Sequence, residues 1–207
     1  MSRLKTEPRR VYDPLLRLLH AAIALSIISL IITSQLSDWF EHGPYEDTLW
    51  NLHILSGYVL ATSFLTRLLW GLVGPASARW RDLWHPAVWK DSLRRLRLPA
   101  AHRVGHDPIA SLAYLFAYGV MALMVVTGLG LAASEFQAGP LAGWLGNATW
   151  LEDVLKDPHE AGFILMLGFI GLHMAALVFH HLRGERVAQS MLTGKQYIDA
   201  ESEVQHD

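Results

Sequence analysis

Hydrophobic residues along this chain gather in four long stretches separated by shorter polar segments. Each stretch has about 20 residues or more, the length that an α-helix needs to cross a bilayer core of about 30 Å. The pattern predicts transmembrane helices at residues 15–36, 50–73, 109–133 and 159–182. We therefore expect an all-α integral membrane protein, a four-transmembrane-helix bundle that forms a single membrane domain over residues 1–207.

The basic residues indicate how the four helices are oriented. Sixteen of the 17 Lys and Arg lie in the N-terminal segment, around the connection between the second and third helices, or in the tail. Lys156 is the exception and lies among acidic residues before the fourth helix. Because cytoplasmic loops carry an excess of Lys and Arg, both termini are predicted to be cytoplasmic.

The long connection between the second and third helices contains a further amphipathic segment. Residues 86–98, bounded by Pro86 and Pro99, mix apolar and basic side chains in a pattern typical of a helix lying in the lipid headgroup layer. Trp80, Trp84 and Trp89 would anchor it at the membrane interface. A docking surface for another protein is the alternative interpretation.

Composition narrows the chemistry that this bundle can perform. Hydrophobic residues make up 52% of the chain and charged residues only 17%, against about 25% in soluble domains. The chain has no cysteine, which excludes disulfides, iron–sulfur clusters, zinc–thiolate sites and covalently attached c-type haem. A net charge of −2 gives no basic character for binding nucleic acid. Eleven histidines remain, and several lie inside the predicted spans.

Two histidines of the fourth predicted helix, His159 and His173, are fourteen residues apart. This spacing is a rotation of about 1400°, within about 40° of whole turns, and a rise of about 21 Å, so both imidazoles share one face at two depths. His53 lies at about the depth of His159, and His20 at about the depth of His173. The sequence therefore predicts two pairs of facing histidines.

Facing imidazoles in a helix bundle are typical axial ligands of a six-coordinate haem. Two histidine ligands leave no open position, so the iron would carry electrons and not activate oxygen. Zinc is a weaker interpretation, because no carboxylate or thiolate accompanies either pair. Each histidine could instead be a hydrogen-bonded polar residue between helices, and His180 and His181 are interpreted as interfacial residues.

Two arginines lie near the predicted inner haem level. Arg17 is one turn before His20, and Arg67 is at the inner end of the second helix. Both are placed to pair with haem propionates. Anchoring at the cytoplasmic interface explains them as well.

Six short motifs follow one another along residues 11–196. They are Tyr12-Asp-Pro-Leu-Leu-Arg-Leu-Leu-His20, Leu52-His53-Ile-Leu-Ser-Gly57, Arg67-Leu-Leu-Trp-Gly-Leu-Val-Gly-Pro75, Gly105-His-Asp-Pro108, His159-Glu-Ala-Gly162 with His173, and Arg186-Val-Ala-Gln-Ser-Met-Leu-Thr-Gly-Lys195. In this order and spacing they resemble the bacterial di-haem cytochrome b561 family. That family includes the cytochrome b subunits of nickel–iron hydrogenases and of formate dehydrogenases.

The resemblance implies a multi-pass protein of the bacterial cytoplasmic (inner) membrane with two non-covalent b haems. It also implies a quinone site on the cytoplasmic side near the start of the third helix, which here corresponds to His106 and Asp107. The chain departs from the family at Ala21, where Trp is frequent, and at Asp107, where Asn is usual. Asp107 and Pro108 also suit an N-terminal helix cap. The implied haem ligands are His20, His53, His159 and His173.

The leading functional hypothesis is transmembrane electron transfer between the quinone pool and a periplasmic redox partner, such as a c-type cytochrome or a hydrogenase-like subunit. The outer connections are short, so a large redox domain must belong to another chain. Their acidic residues suit docking of a basic protein, or simply follow the topology rule. Two alternatives are a self-contained superoxide:quinone-type oxidoreductase and a non-redox proton channel or transporter with relay histidines. Apart from these redox partners, we expect contact with membrane lipid and none with nucleic acid.

Overall fold

The fold is that of a computed structural model, which describes residues 6–10, 12–40, 42–75, 78–83, 86–95, 108–183 and 187–199. Four long helices dominate these residues, joined by shorter helices and closed by a pair of strands. In chain order the elements are β1 (Thr6–Arg10), α1 (Pro14–Trp39), α2 (Glu46–Val73), a 3₁₀ turn (Trp80–Leu83), α3 (Pro86–Arg95), α4 (Pro108–Ser134), α5 (Ala142–Leu145), α6 (Trp150–Leu182), α7 (Val187–Thr193) and β2 (Lys195–Asp199).

Helices α1, α2, α4 and α6 are each long and apolar enough to cross a membrane. They confirm the prediction of four membrane-spanning helices. Large apolar side chains such as Leu25, Ile32 and Leu172 are exposed, whereas Ser26 and Thr33 are buried. This arrangement is typical of a bundle in lipid, where small and polar residues mediate helix contacts and large apolar ones face the hydrocarbon.

The four long helices pack as two hairpins. Helix α1 packs along α2 and α4 along α6, while the two hairpins meet mainly through a sparser contact of α2 with α4. A core cluster where the hairpins meet contains Phe64, Val120, Met121 and Met166. The α4–α6 contact is close at Gly162, because a Cβ there would overlap the sulfur of Met124.

Helix α6 begins at Trp150, nine residues before the predicted span, and this boundary was wrong. The charged residues of this segment and Pro158 had indicated a connection. Pro158 instead lies inside the helix, where it removes one backbone hydrogen bond. Glu152 and Asp153 occupy the first turn, where negative charge is favoured by the helix dipole. His159 therefore lies inside α6 and does not open it.

Two short strands join the chain ends and were not expected from an all-α prediction. Strand β1 pairs antiparallel with β2, with Arg10 opposite Lys195. The N–H of Tyr12 lies 3.4 Å from the carbonyl oxygen of Gly194, which has a φ of +75° and allows α7 to turn into β2. The N- and C-terminal segments thus meet at one end of the bundle, called the inner end below. The α1–α2 and α4–α6 connections lie at the opposite, outer end.

The predicted amphipathic segment is helical over α3, and residues 96–98 lie outside the described part of the chain, as does Trp84. Trp80 lies in the preceding 3₁₀ turn and donates its indole N–H to the carbonyl oxygen of Leu68 at 3.0 Å. Its ring occupies the space that a side chain on Gly71 would fill. Contact of α3 with lipid stays a prediction.

Candidate functional site

The predicted outer histidine pair comes from different hairpins. His53 of α2 and His159 of α6 are close enough for their charges to interact. The ring of Trp50, one turn before His53, lies edge-on to that imidazole at 5.5 Å between centroids. Trp50 also contacts Phe136, at 5.3 Å, so aromatic rings flank the pair at the outer end.

Each imidazole of this pair lies against a threonine hydroxyl from the other helix of its own hairpin. The Nδ1 atom of His53 is 3.2 Å from the Oγ1 atom of Thr33 on α1. The Nδ1 atom of His159 is 2.8 Å from the Oγ1 atom of Thr127 on α4. These contacts engage Nδ1 of both rings and leave Nε2 as the nitrogen for another ligand.

The ring of His159 also rests on the backbone of α4. A Cβ atom at Gly128 would lie 3.2 Å from Cε1 of His159, which is tighter than ordinary side-chain contact. Glycine at this position therefore lets the imidazole approach the helix closely. Thr127 and Gly128 together define where the ring lies.

The predicted inner pair is also brought together. His20 of α1 and His173 of α6 are close enough for their charges to interact. The imidazole of His173 stacks on Phe169, with centroids 5.9 Å apart and planes at 17°. Helix α6 thus carries one member of each pair, and the role of all four histidines as ligands stays a prediction.

The arrangement in pairs suits haem better than a free metal ion. Within the described ranges, no group of three or more His, Cys, Asp or Glu side chains is placed to hold a metal. A protein zinc site needs three or four such ligands, whereas haem iron needs at most two axial ones because the porphyrin supplies the rest. The available donor set therefore fits haem.

Arg67 is a buried cation whose side chain is 7% exposed. Its guanidinium carbon lies 5.6 Å from the ring centroids of both Trp80 and Tyr118, and its Nη1 atom has no hydrogen-bond partner. A buried charged nitrogen without a partner is costly, and a carboxylate would satisfy it. The surroundings of Arg67 thus fit the propionate contact that the sequence predicts.

Arg17 makes contacts that were not predicted from the sequence. Its Nε donates to the carbonyl oxygen of Met191 at 2.9 Å, and one Nη donates to the carbonyl oxygen of Leu192. The guanidinium therefore binds the last carbonyls of α7 and ties the start of α1 to the C-terminal segment. Its contact with a propionate stays a prediction, and the quinone-site residues His106 and Asp107 lie outside the described residues.

The outer end carries interacting charges near the membrane surface. Burial raises the pKa of the Glu135 carboxyl, and the neighbouring carboxylate of Glu152 raises it further, while Lys156 lowers it. At the inner end, burial raises the pKa of the Tyr12 hydroxyl. Thr33 and Thr127 were not singled out from the sequence as site residues. A hydroxyl within an apolar span was the only signal, and it does not show which histidine is adjacent.

Comparison with known proteins gives matches over most of the chain. The sequence profile of prokaryotic cytochrome b561 matches residues 11–194. A protein of Bradyrhizobium diazoefficiens named "probable Ni/Fe-hydrogenase B-type cytochrome subunit" is 30% identical over 219 residues, covering 90% of this chain and 85% of its own. A protein of the same name from Azotobacter chroococcum is 29% identical over 193 residues, covering 79% and 78%.

A shorter match is found with a "probable Ni/Fe-hydrogenase 1 B-type cytochrome subunit" of Escherichia coli, 33% identical over 97 residues and covering 42% of this chain and 40% of its own. No solved structure matches the chain. The profile match extends over nearly the whole length, which confirms the family that the sequence motifs resemble. With its four membrane-spanning helices, the chain belongs to the prokaryotic cytochrome b561 family of b-type cytochromes.

Proposed function

We propose that this protein carries electrons across the bacterial cytoplasmic membrane between the quinone pool and a redox enzyme on the periplasmic side. The observation that supports this proposal is the proximity of histidines at two levels along α6, where His159 lies within electrostatic range of His53 on α2 and His173 within range of His20 on α1. Two levels of ligands near opposite ends of a bundle are what electron transfer from one membrane face to the other requires. Membership of a b-type cytochrome family supports this function over a non-redox channel.

The proposed ligands are His53 with His159 for an outer haem b, and His20 with His173 for an inner one. Bound haem would supply a one-electron iron centre. The protein's own part is to present the imidazoles from separate helices and to keep them in place. At the outer level, Thr33 and Thr127 hold the two rings through their Nδ1 atoms.

Arg67 is the proposed partner of a propionate at the inner level. Its unpaired Nη1 atom offers a charge-assisted hydrogen bond to a carboxylate. Trp80 and Tyr118 flank the guanidinium and shield it from water, which strengthens such a bond. His106 and Asp107 immediately precede α4 in the sequence and stay the proposed contacts for the quinone headgroup.

The proposed redox partner is an enzyme of the hydrogenase type that docks at the outer end. The relatives from Bradyrhizobium and Azotobacter carry hydrogenase-subunit names, and they match most of this chain. The described outer connections contain only α5 and short turns, so they offer a docking surface and no redox domain. Both termini are proposed to be cytoplasmic, because the basic residues concentrate at the inner end.

The test is the haem content of single histidine variants of the full chain in membranes. His53→Ala and His159→Ala should each remove the same haem component, and His20→Ala and His173→Ala should each remove the other. His42→Ala, at an exposed outer position, is the matched control and should leave both. Unchanged haem content in all four variants would contradict the proposal.

The redox role is tested with membranes that contain the full chain and its copurifying partner. Reduction by the partner's electron donor followed by reoxidation with an added quinone is the expected result. If purified protein alone transfers electrons from superoxide to quinone, a self-contained enzyme replaces the subunit role. If reduced-minus-oxidised spectra show no haem absorption, electron transfer is excluded.

A further inference from the structure

Two threonines inside the membrane spans form the same local arrangement in both hairpins. The hydroxyl of Thr33 on α1 lies between two groups, the imidazole of His53 and the backbone carbonyl of Ser29. The Oγ1 atom of Thr33 is 2.8 Å from the carbonyl oxygen of Ser29, which is one helical turn back in α1. Thr127 of α4 lies in the same way between His159 and the carbonyl oxygen of Leu123, at 2.7 Å. The repetition in two separate hairpins indicates a shared role.

The number of hydrogens decides the direction of these bonds. A threonine hydroxyl has a single hydrogen, and a backbone carbonyl can only accept. The hydrogen of Thr33 therefore goes to the carbonyl of Ser29, as is usual for hydroxyls inside helices. The lone pairs of its oxygen then face Nδ1 of His53, so that nitrogen donates its N–H, and the backbone carbonyl of Leu30, which also interacts with His53, can likewise only accept. The same reasoning applies to Thr127 and His159, so both neutral imidazoles carry hydrogen on Nδ1 and a lone pair on Nε2.

We propose that Thr33 and Thr127 are positioning residues that fix the tautomer and the ring orientation of His53 and His159, so that both present Nε2 to the same outer haem iron. This inference rests on the proposed function, since it takes these histidines as ligands. Each hairpin carries a complete half-site, one histidine with its threonine. Packing of α1 on α2 therefore orients one ligand, and packing of α4 on α6 orients the other.

The arrangement distinguishes the outer pair from the inner one. At the inner level His173 is held by stacking on Phe169. Among the described residues, no side-chain hydroxyl hydrogen-bonds to His20 or His173. Changes to the two threonines should therefore act on the outer haem alone.

The hydrogen bond should also affect the stability of the oxidised iron. An acceptor on the Nδ1 hydrogen makes the imidazole a stronger electron donor at Nε2, which favours the oxidised state. Valine has nearly the shape of threonine but cannot accept a hydrogen bond. Thr33→Val and Thr127→Val should each move the midpoint potential of the outer haem to a more positive value.

The experiment is a redox titration of the full-length protein in mild detergent, followed by haem absorbance and by the low-spin ferric electron paramagnetic resonance signal. The outer component is assigned from the His53→Ala and His159→Ala variants, which lack it. Thr33→Ser and Thr127→Ser keep the hydroxyl and test rescue. Ser26→Ala and Thr66→Val are the controls, because these hydroxyls also donate to a carbonyl one turn back, at 2.8 and 2.7 Å, and among the described residues neither hydrogen-bonds to an imidazole.

We expect a positive shift of the outer potential and an altered outer ferric signal in each valine variant, a larger shift in the double variant, and no change at the inner haem. The serine variants and the controls should match the parent protein. A valine variant that loses the outer haem supports the proposal if the serine variant at the same position retains that haem. If the serine variant loses it as well, the proposal is contradicted. Unchanged potentials and signals with haem retained overturn the positioning role while leaving the proposed function intact. Full haem content in the histidine variants would refute the proposed function itself.

Discussion

Asp13 joins the start of α1 to the end of α2. Its Oδ1 atom accepts the backbone N–H of Leu16 at 2.9 Å and the indole N–H of Trp70 at 3.2 Å. One carboxylate oxygen thus caps the first turn of α1 and fixes the neighbouring helix against it. The cap lies at the inner end of the first hairpin, a few residues from His20.

Asp13→Ala should lower the stability of the α1–α2 hairpin, because the cap and the inter-helix bond are both lost. Loss of an N-cap alone costs about 1 kcal/mol. We expect a lower melting temperature of the purified protein in detergent. Asp13→Asn keeps an oxygen that can accept both bonds and should melt close to the parent, whereas Trp70→Phe should lose only the inter-helix part. Equal melting temperatures for Asp13→Ala and Asp13→Asn would show that the cap does not stabilise the hairpin.

Gly128→Ala should disturb the outer haem site. The added Cβ would lie 3.2 Å from Cε1 of His159, so the imidazole must shift to relieve the contact. We expect lower occupancy of the outer haem or an altered ferric resonance signal, with a larger effect for Gly128→Val. Gly119→Ala on the same helix is the matched control, because no atom lies within 4 Å of a Cβ there. Identical spectra for Gly128→Val and the parent would show that the ring does not need this close approach.

Much of the fold follows from the sequence because a membrane leaves the chain few choices. Backbone groups in lipid must be hydrogen-bonded internally, so a long apolar stretch becomes a helix. The two levels of histidines follow from helix geometry, since rise and rotation per residue are fixed and His159 and His173 lie on one helix. In the structure His53 lies within electrostatic range of His159, and His20 within range of His173, while their role as ligands stays a prediction.

The remaining features depend on contacts between residues distant in the chain. The start of α6 was missed because the charged residues and Pro158 indicated a connection, whereas the structure keeps Pro158 inside the helix and loses one backbone hydrogen bond there. The contact of Thr127 with His159 depends on the rotation of α4 against α6, which hydrophobic pattern alone does not fix. The bonds of Arg17 to α7 connect opposite ends of the sequence. No local signal identifies such a partner.

Glu135→Gln should make the stability of the protein less dependent on pH. The pKa of this carboxyl is raised above its ordinary value of 4.5, mainly by burial and also by Glu152. The folded state therefore holds the proton more tightly than the unfolded state. The stabilisation that this provides is present below pH 4.5 and is lost as pH rises through the raised pKa.

The measurement is the melting temperature of the parent and of Glu135→Gln across the acidic range. The difference between the two proteins should grow in favour of the variant as pH rises through this window. Asp38→Asn, at the outer end of α1, is the control for removing one negative charge from the same membrane face. A pH profile that is the same for the parent and for Glu135→Gln would show that this carboxyl has an ordinary pKa.

Arg67→Leu should lower the midpoint potential of the inner haem and weaken its binding. The buried guanidinium is a positive charge that disfavours the oxidised iron, and its unpaired Nη1 atom is the proposed partner of a propionate. Arg67→Lys keeps the charge but loses the planar group between Trp80 and Tyr118, so we expect an intermediate effect. Redox titration of the two haem components is the measurement. Arg79→Leu removes an exposed basic residue from the same end of the bundle and should leave both potentials near the parent values. If Arg67→Leu changes the midpoint potential of the outer haem and leaves that of the inner haem unchanged, Arg67 is not the partner of a propionate at the inner level.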